Sequence, residues 1–354
     1  MNARLLFATL FLFPTVALAQ GFAGLGSTTT DGFAQPAPDP EFDFPTDHGA
    51  HPDYRIEWWY LTANLTGPDG QDYGLQWTLF RSALEPRQTD GWDSPQIWMG
   101  HAGLTTPERH YVSERFARDG NGQAGVTADP FLAWIDDWEM RSTAAPGTDA
   151  ISAARLTASG LDFAYALDLT AQGPLVPQGQ GGFSVKSESG QASYYYSQPF
   201  YTVTGTLTLP EGVVAVTGTA WLDREWSSQP LEGTQTGWDW FSLHLDTGEK
   251  VMGFRLRDEA GPDFTAATWI SPEGNPTPLP NGAFQVTERA RTPVAGREVP
   301  TEWRVQVPSR GLDITTRPLN AQSWMETLFP YWEGPIFFEG SHTGRGYLEM
   351  TGYD

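Results

Sequence analysis

Glu57-Trp58-Trp59-Tyr60-Leu61-Thr62-Ala63-Asn64-Leu65, Gly67-Pro68-Asp69-Gly70 and Tyr73-Gly74-Leu75-Gln76-Trp77-Thr78-Leu79-Phe80 follow one another near the start of the chain. Two aromatic-rich runs of strand length flank a turn-forming tetrapeptide, which predicts a β-hairpin. Similar runs recur at Trp98 to Leu104, Ala153 to Ser159, Phe163 to Thr170, Ser193 to Tyr196, Thr202 to Leu209 and Val213 to Leu222. Their separators are rich in Gly, Pro, Asp and Asn, the residues of tight turns. Long helical periodicity is absent. Glu108 to Phe116 and Trp324 to Phe329 could each form a helical turn or two.

A second hairpin is expected from Trp238 to Leu245 and Lys250 to Arg257 around Asp246-Thr247-Gly248-Glu249. It resembles the first in its aromatic opening strand and in a closing strand that ends in Arg, so Arg81 and Arg257 hint at an internal repeat. Glu333 to Gly340 and Gly344 to Met350 read as closing strands. A chain of 354 residues exceeds one ordinary core, and 15 Trp, 38 Gly and 28 Pro suit many short strands. The expected class is all-β, with two antiparallel barrels or sandwiches in tandem.

Met1 to Ala19 combines Arg4, an apolar stretch and Ala17-Leu18-Ala19, the pattern of a cleaved signal peptide. The expected organisation is a signal peptide at 1–19, an extended lead-in with little structure at 20–42, a first domain at 43–228 and a second at 229–354. The protein is expected to be exported, to the periplasm or beyond the cell, with no integral membrane segment in the mature chain. With no cysteine there are no disulfides or thiolate metal sites, and a net charge of −22 disfavours nucleic acid as a partner.

The chemistry-bearing stretch is Trp221-Leu222-Asp223-Arg224-Glu225-Trp226, followed by Gly237-Trp238-Asp239-Trp240-Phe241. On a strand Trp221, Asp223 and Glu225 share one face, and Leu222, Arg224 and Trp226 the other. Facing inward, one carboxyl would favour its neutral form and could donate a proton. A buried structural Asp-Arg-Glu network accounts for the same residues. Ser193-Tyr194-Tyr195-Tyr196-Ser197 puts Tyr194 and Tyr196 on one face, either toward a cavity or in cross-strand packing. Lys186 is either a pocket cation or a surface charge. In Asp47-His48-Gly49-Ala50-His51-Pro52, Gly49 and Pro52 argue for a loop rather than a zinc-binding helix. There Asp47, His48 and Glu57 could tie the lead-in to a barrel mouth. No metal or cofactor is expected. G-x-S-x-G, S-x-x-K, H-E-x-x-H and phosphate-loop patterns are all missing from the sequence.

The ordered series Phe44-Pro45-Thr46-Asp47-His48-Gly49-Ala50-His51, Glu57-Trp58-Trp59-Tyr60, Gly100-His101-Ala102, Ser193 to Ser197, Trp221 to Trp226 and Gly237 to Phe241 resembles the AttH-like family of bacterial secreted proteins, which are related to carotenoid 1,2-hydratases. The resemblance runs from about Pro45 to the C-terminus and implies two consecutive lipocalin-like β-barrel domains. Members are often labelled predicted secreted hydrolases, a label with no catalytic signature in this sequence. In the hydratase branch a strand Asp is thought to donate a proton to an isoprenoid double bond, and Asp223 matches it. That branch also carries a His and a Trp two apart on an upstream strand. Their places are taken here by Tyr194 and Tyr196, so the His is absent.

Together these readings lead to an exported, cofactor-free enzyme that protonates, hydrates or isomerises a lipophilic isoprenoid or polyene molecule. Asp223 would be the acid, Glu225 would tune it or position water, Arg224 would neutralise local charge, and Tyr194 and Tyr196 would orient the substrate. Trp58, Trp59, Trp221, Trp238 and Trp240 would form apolar walls, with His48, Glu57 and His101 in the binding region. The alternative is a lipocalin-type carrier that binds an apolar molecule unchanged.

Overall fold

The opening hairpin forms where the turn signal places it: Ile56–Thr66 pairs antiparallel with Asp72–Ala83, setting Trp59 opposite Leu79 and Leu61 opposite Trp77. Gly70 closes the turn at φ +84°, a conformation that costs glycine little. The structure is a computed structural model that describes residues 30–89, 91–229 and 231–353. The signal-peptide reading of residues 1–19 lies outside them.

The hairpin belongs to a 13-stranded sheet. Its path in space runs His110–Arg118, Gln96–Thr105, Asp72–Ala83, Ile56–Thr66, Gly212–Ser227, Ala192–Leu209, Ala164–Ala171, Ala153–Ser159, Trp138–Ser142, Phe131–Ile135 and Ala124–Ala128. This sheet curls into a nearly closed barrel. Gly100, from one arm of the path, leaves room for Ile135 from the other, since a Cβ there would lie 2.8 Å from the Ile135 side chain. The barrel interior is packed with Trp59, Leu61, Trp77, Phe131, Trp138 and their neighbours.

A second, 10-stranded sheet forms a half-barrel. Its path is Pro276–Leu279, Phe264–Ile270, Lys250–Asp258, Gln235–Leu245, Gly344–Met350, Tyr331–Gly340, Leu312–Pro318, Arg297–Val307 and Gln285–Val294. Phe241, Trp269, Trp303 and Trp332 fill its concave side. In both sheets the first strand lies between the second and the last. The repeat extends to a buried ion pair. Glu57 sits opposite Arg81 and pairs with it, and Asp239 sits opposite Arg255 and binds it at 2.7 Å.

The two sheets pack outer face to outer face through Tyr60, Tyr195, Trp221, Trp240, Phe254 and Tyr347. A Cβ at Gly74 of the first sheet would overlap the Pro335 ring of the second, so close approach of the sheets requires glycine there. This packing explains why Ile56–Thr66 and Gly212–Ser227 are buried on both faces near the interface, rather than alternating between core and water.

The two helical-turn readings are corrected. His110–Arg118 is a strand and Trp324–Met325 a short strand, because each finds an antiparallel partner along its length that outweighs local helical preference. Of the lead-in, residues 30–42 are described and rest against the first barrel. Phe33 is buried, and Ala34 N–H reaches Asp53 O at 2.9 Å. Among the described residues no helix is long and apolar enough to cross a membrane.

Candidate active site

Where the outer faces diverge they enclose a cavity of about 470 Å³. Its apolar walls include Trp58, Phe80, Trp238, Trp240, Phe254 and Leu256, and Asp223, Glu225, Glu349, Lys186, His101 and Tyr331 supply polar groups. The strand pleat decides which residues reach it. Along Gly212–Ser227 the odd-numbered Asp223, Glu225 and Ser227 line the cavity, whereas Leu222 and Trp226 join the core inside the first barrel.

Asp223 is 2% exposed and accepts three hydrogen bonds. Oδ1 receives the Ser197 hydroxyl at 2.5 Å and the Trp221 indole N–H at 2.6 Å, and Oδ2 receives the Tyr195 hydroxyl at 2.5 Å. Trp240 N–H donates in turn to the Tyr195 oxygen at 3.2 Å, joining the two sheets at the acid. Burial pushes Asp223 up to about 7, aided by the Glu225 carboxylate and opposed by the three hydrogen bonds. At neutral pH such a carboxyl is poised to give or take a proton. Glu225 is held by Lys186 at 2.7 Å and by the Ser193 hydroxyl. Lys186 stands 4.3 Å from the centre of the Phe254 ring, and is thus a pocket cation rather than a surface charge.

The facing wall comes from the second sheet. Glu349 accepts the Trp238 indole N–H at 2.5 Å, and burial pushes it up to about 7. Glu333, directly opposite it on the neighbouring strand, accepts the Tyr60 hydroxyl at 2.5 Å. Burial and the Glu349 carboxylate push Glu333 well above the usual carboxylate range, so it stays neutral. His101 lies between the Tyr331 hydroxyl at 2.9 Å and Glu114 at 3.1 Å, and burial keeps its pKa low despite that carboxylate.

Six of the residues singled out from sequence lie elsewhere. Tyr194 and Tyr196 have the opposite parity to Tyr195 and point toward the barrel mouth. There Tyr194 OH accepts the Ala37 N–H at 2.9 Å and Tyr196 OH meets His48 Nδ1 at 2.7 Å. The phenol in the cavity is Tyr195, because antiparallel register sets it opposite Glu225. Arg224 also turns inward and does not neutralise Asp223. It reaches Glu57 at 3.1 Å and Gly49 O at 2.6 Å, and stacks 3.9 Å above the Trp59 ring. Glu57 further binds Arg81 and accepts from His51 Nδ1 at 3.0 Å. Burial alone would raise Glu57, but Arg81, His51 and Arg224 together hold it well below the usual range. Asp47 completes the lock by meeting His51 Nε2 at 3.0 Å. Thus His48, Glu57, Trp59, Arg224, Tyr194 and Tyr196 tie the lead-in across the barrel mouth. Trp221 touches Asp223 without lining the cavity. Among the described residues no three His, Asp or Glu side chains are grouped to hold a metal ion.

Several residues escaped the sequence reading, namely Tyr60, Tyr195, Tyr331 and Glu349 in the cavity wall, and Ser197 and Glu333 hydrogen-bonded or paired behind it. Tyr195 and Ser197 follow only from the register that sets them opposite Glu225 and Asp223, and Glu349 and Glu333 carry no local signal.

The AttH-like family model matches residues 35–353. No curated protein matches the sequence. The crystal structure of an AttH-type protein from Nitrosomonas europaea is 31% identical, with a TM-score of 0.79 over 91% of this chain and 100% of that one. Kievitone hydratase from Nectria haematococca superposes with a TM-score of 0.68 at 16% identity, over 90% of this chain and 95% of that one. CghA with Sch210972 gives 0.53 at 11% identity, over 85% and 89% of the respective chains. With the family model covering nearly all described residues and two barrel-like sheets in the matching arrangement, the chain belongs to the AttH-like family.

Proposed function

We propose that this protein is an exported acid–base enzyme that protonates a carbon–carbon double bond of a lipophilic isoprenoid or polyene molecule, leading to hydration or isomerisation. The observation that carries the proposal is Asp223, a carboxyl near pKa 7 that lines an aromatic cavity and is aimed by Tyr195, Ser197 and Trp221. Protonation of an alkene demands a neutral acid next to an apolar substrate, with walls that tolerate the cation it creates. Trp58, Trp238, Trp240 and Phe254 supply such walls, and the Glu225–Lys186 pair leaves little net charge beside them. A purely structural Asp-Arg-Glu network is not supported, since Arg224 and Asp223 occupy opposite faces of the strand. The hydratase named among the solved neighbours is consistent with this reading.

The test is to incubate wild type and Asp223→Asn with a lipid extract of the source organism and analyse bound and free molecules by mass spectrometry. A hydrated or isomerised lipid formed by wild type alone supports the enzyme. One lipid captured unchanged by both proteins would replace it with a carrier.

A further inference from the structure

We infer that Glu349 is a second catalytic residue, the base that takes a proton from the attacking water, and that the reaction initiated at Asp223 is therefore a hydration. This inference rests on the proposed role of Asp223 and adds the partner that such a role leaves open.

The argument begins with the internal repeat. In the first sheet Trp58 of the opening strand lies opposite Glu225 of the last strand, and in the second sheet Trp240 lies opposite Glu349. These glutamates occupy equivalent positions of the two halves, and the packing of outer faces brings both to the same cavity. Their environments then differ. Glu225 is bound by Lys186, whereas Glu349 has no cationic partner among the described residues and is held by the Trp238 indole N–H on Oε1, with the Tyr60 hydroxyl beside it. Its cross-strand neighbour Glu333 is fully buried, with Oε2 lacking a hydrogen-bond partner among the described residues. Two adjacent carboxyls in a poorly solvated place do not ionise together. The more deeply buried Glu333 keeps its proton, leaving Glu349, partly exposed to the cavity, as the carboxyl free to ionise.

The cavity therefore carries one titrating carboxyl on each wall, Asp223 from the first sheet and Glu349 from the second. With Asp223 protonated and Glu349 ionised, the step balances. The Asp223 O–H bond breaks as the alkene π pair forms a new C–H bond, leaving a carbocation on the neighbouring carbon. A water lone pair forms the C–O bond, that water's O–H bond breaks, and its proton passes to the Glu349 carboxylate. Nothing is oxidised or reduced. One proton has moved from Asp223 to Glu349, and exchange with solvent restores both. The acid and the base thus come from different sheets into one cavity.

The test uses the source-organism lipid extract in two labelled solvents. Deuterium entering recovered alkene in D2O reads protonation and its reversal at Asp223. A product heavier by one labelled water in H2-18O reads hydration. Wild type should show both, and Asp223→Asn neither. Glu349→Gln, which preserves an oxygen for the Trp238 N–H, should keep deuterium exchange within roughly threefold while hydration falls roughly 100-fold or more, and Glu349→Asp should recover part of it. Hydration by Glu349→Gln within threefold of wild type would overturn the assignment. So would equal loss of exchange and hydration, which marks a structural role. Exchange without hydration in wild type would overturn it while leaving Asp223 as the acid. Absence of both from wild type would remove the Asp223 reading as well.

Discussion

Replacing Asp223 with Asn deletes a titration whose size follows from where the carboxyl sits. Burial moves the group from its ordinary 3.8 up to about 7. A carboxyl that holds its proton more tightly in the folded chain stabilises the fold fully below the unfolded pKa. That stabilisation disappears as pH rises through the folded pKa. Over about three units it amounts to ~4 kcal/mol at ~1.4 kcal/mol per unit. About 3 kcal/mol of this falls between about pH 5 and pH 8, because the unfolded carboxyl is already mostly ionised at the lower limit. Asn stays neutral throughout. Urea unfolding of both proteins across that range should therefore show the stability difference moving by about 3 kcal/mol in favour of the variant as pH rises. Taking the difference between the two curves cancels the titrations of Glu349 and Glu333, which both proteins share. Curves that remain parallel within about 0.5 kcal/mol would mean that Asp223 is ionised at pH 5, and the acid role would fall with that result.

Removing the Tyr195 hydroxyl with Tyr195→Phe takes one hydrogen bond from the ionised form of Asp223. Its midpoint, followed by the infrared band of the protonated carboxyl, should rise by about one unit or more. A fall would contradict the assigned geometry. Glu57→Gln leaves the buried Arg81 and Arg224 guanidiniums without their carboxylate and should cost about 3–5 kcal/mol of stability by urea unfolding, while Asp223 titrates as before. Trp58→Ala strips an apolar wall from the cavity and should weaken binding of an uncharged polyene roughly 10- to 100-fold by fluorescence titration, with little loss of fold stability.

The alternation in Trp221 to Trp226 was legible because a strand's pleat sorts side chains whatever its neighbours are. The first hairpin and the closing strands were legible for the same reason, with turn residues marking their ends. Tyr194 and Tyr196 were assigned to the wrong side because parity within one strand says nothing about parity relative to the next. Only the register of Tyr195 with Glu225 settles which phenol shares a face with Asp223. Glu349 and Glu333 were hidden for a different reason. Each stands in an ordinary closing strand, and its meaning arises from a sheet contributed by residues far away in sequence. The lock around Glu57 was only half legible. The tie of Asp47 and His48 to the barrel mouth could be framed from spacing, but the inward turn of Arg224 depends on which face the barrel buries.

From Leu222 to Ser227 the even positions are committed to the barrel interior and the odd ones to the cavity. A mutational walk along that stretch can therefore change the cavity lining at every second residue while leaving the intervening ones under selection for folding alone. The same arrangement makes the strand intolerant of a single-residue insertion, which would carry Asp223 into the core and bring an arginine or a leucine to the cavity. Insertions of two residues would preserve the sorting and merely slide the acid along the wall. Length changes in this strand that persist among relatives are thus expected in even steps.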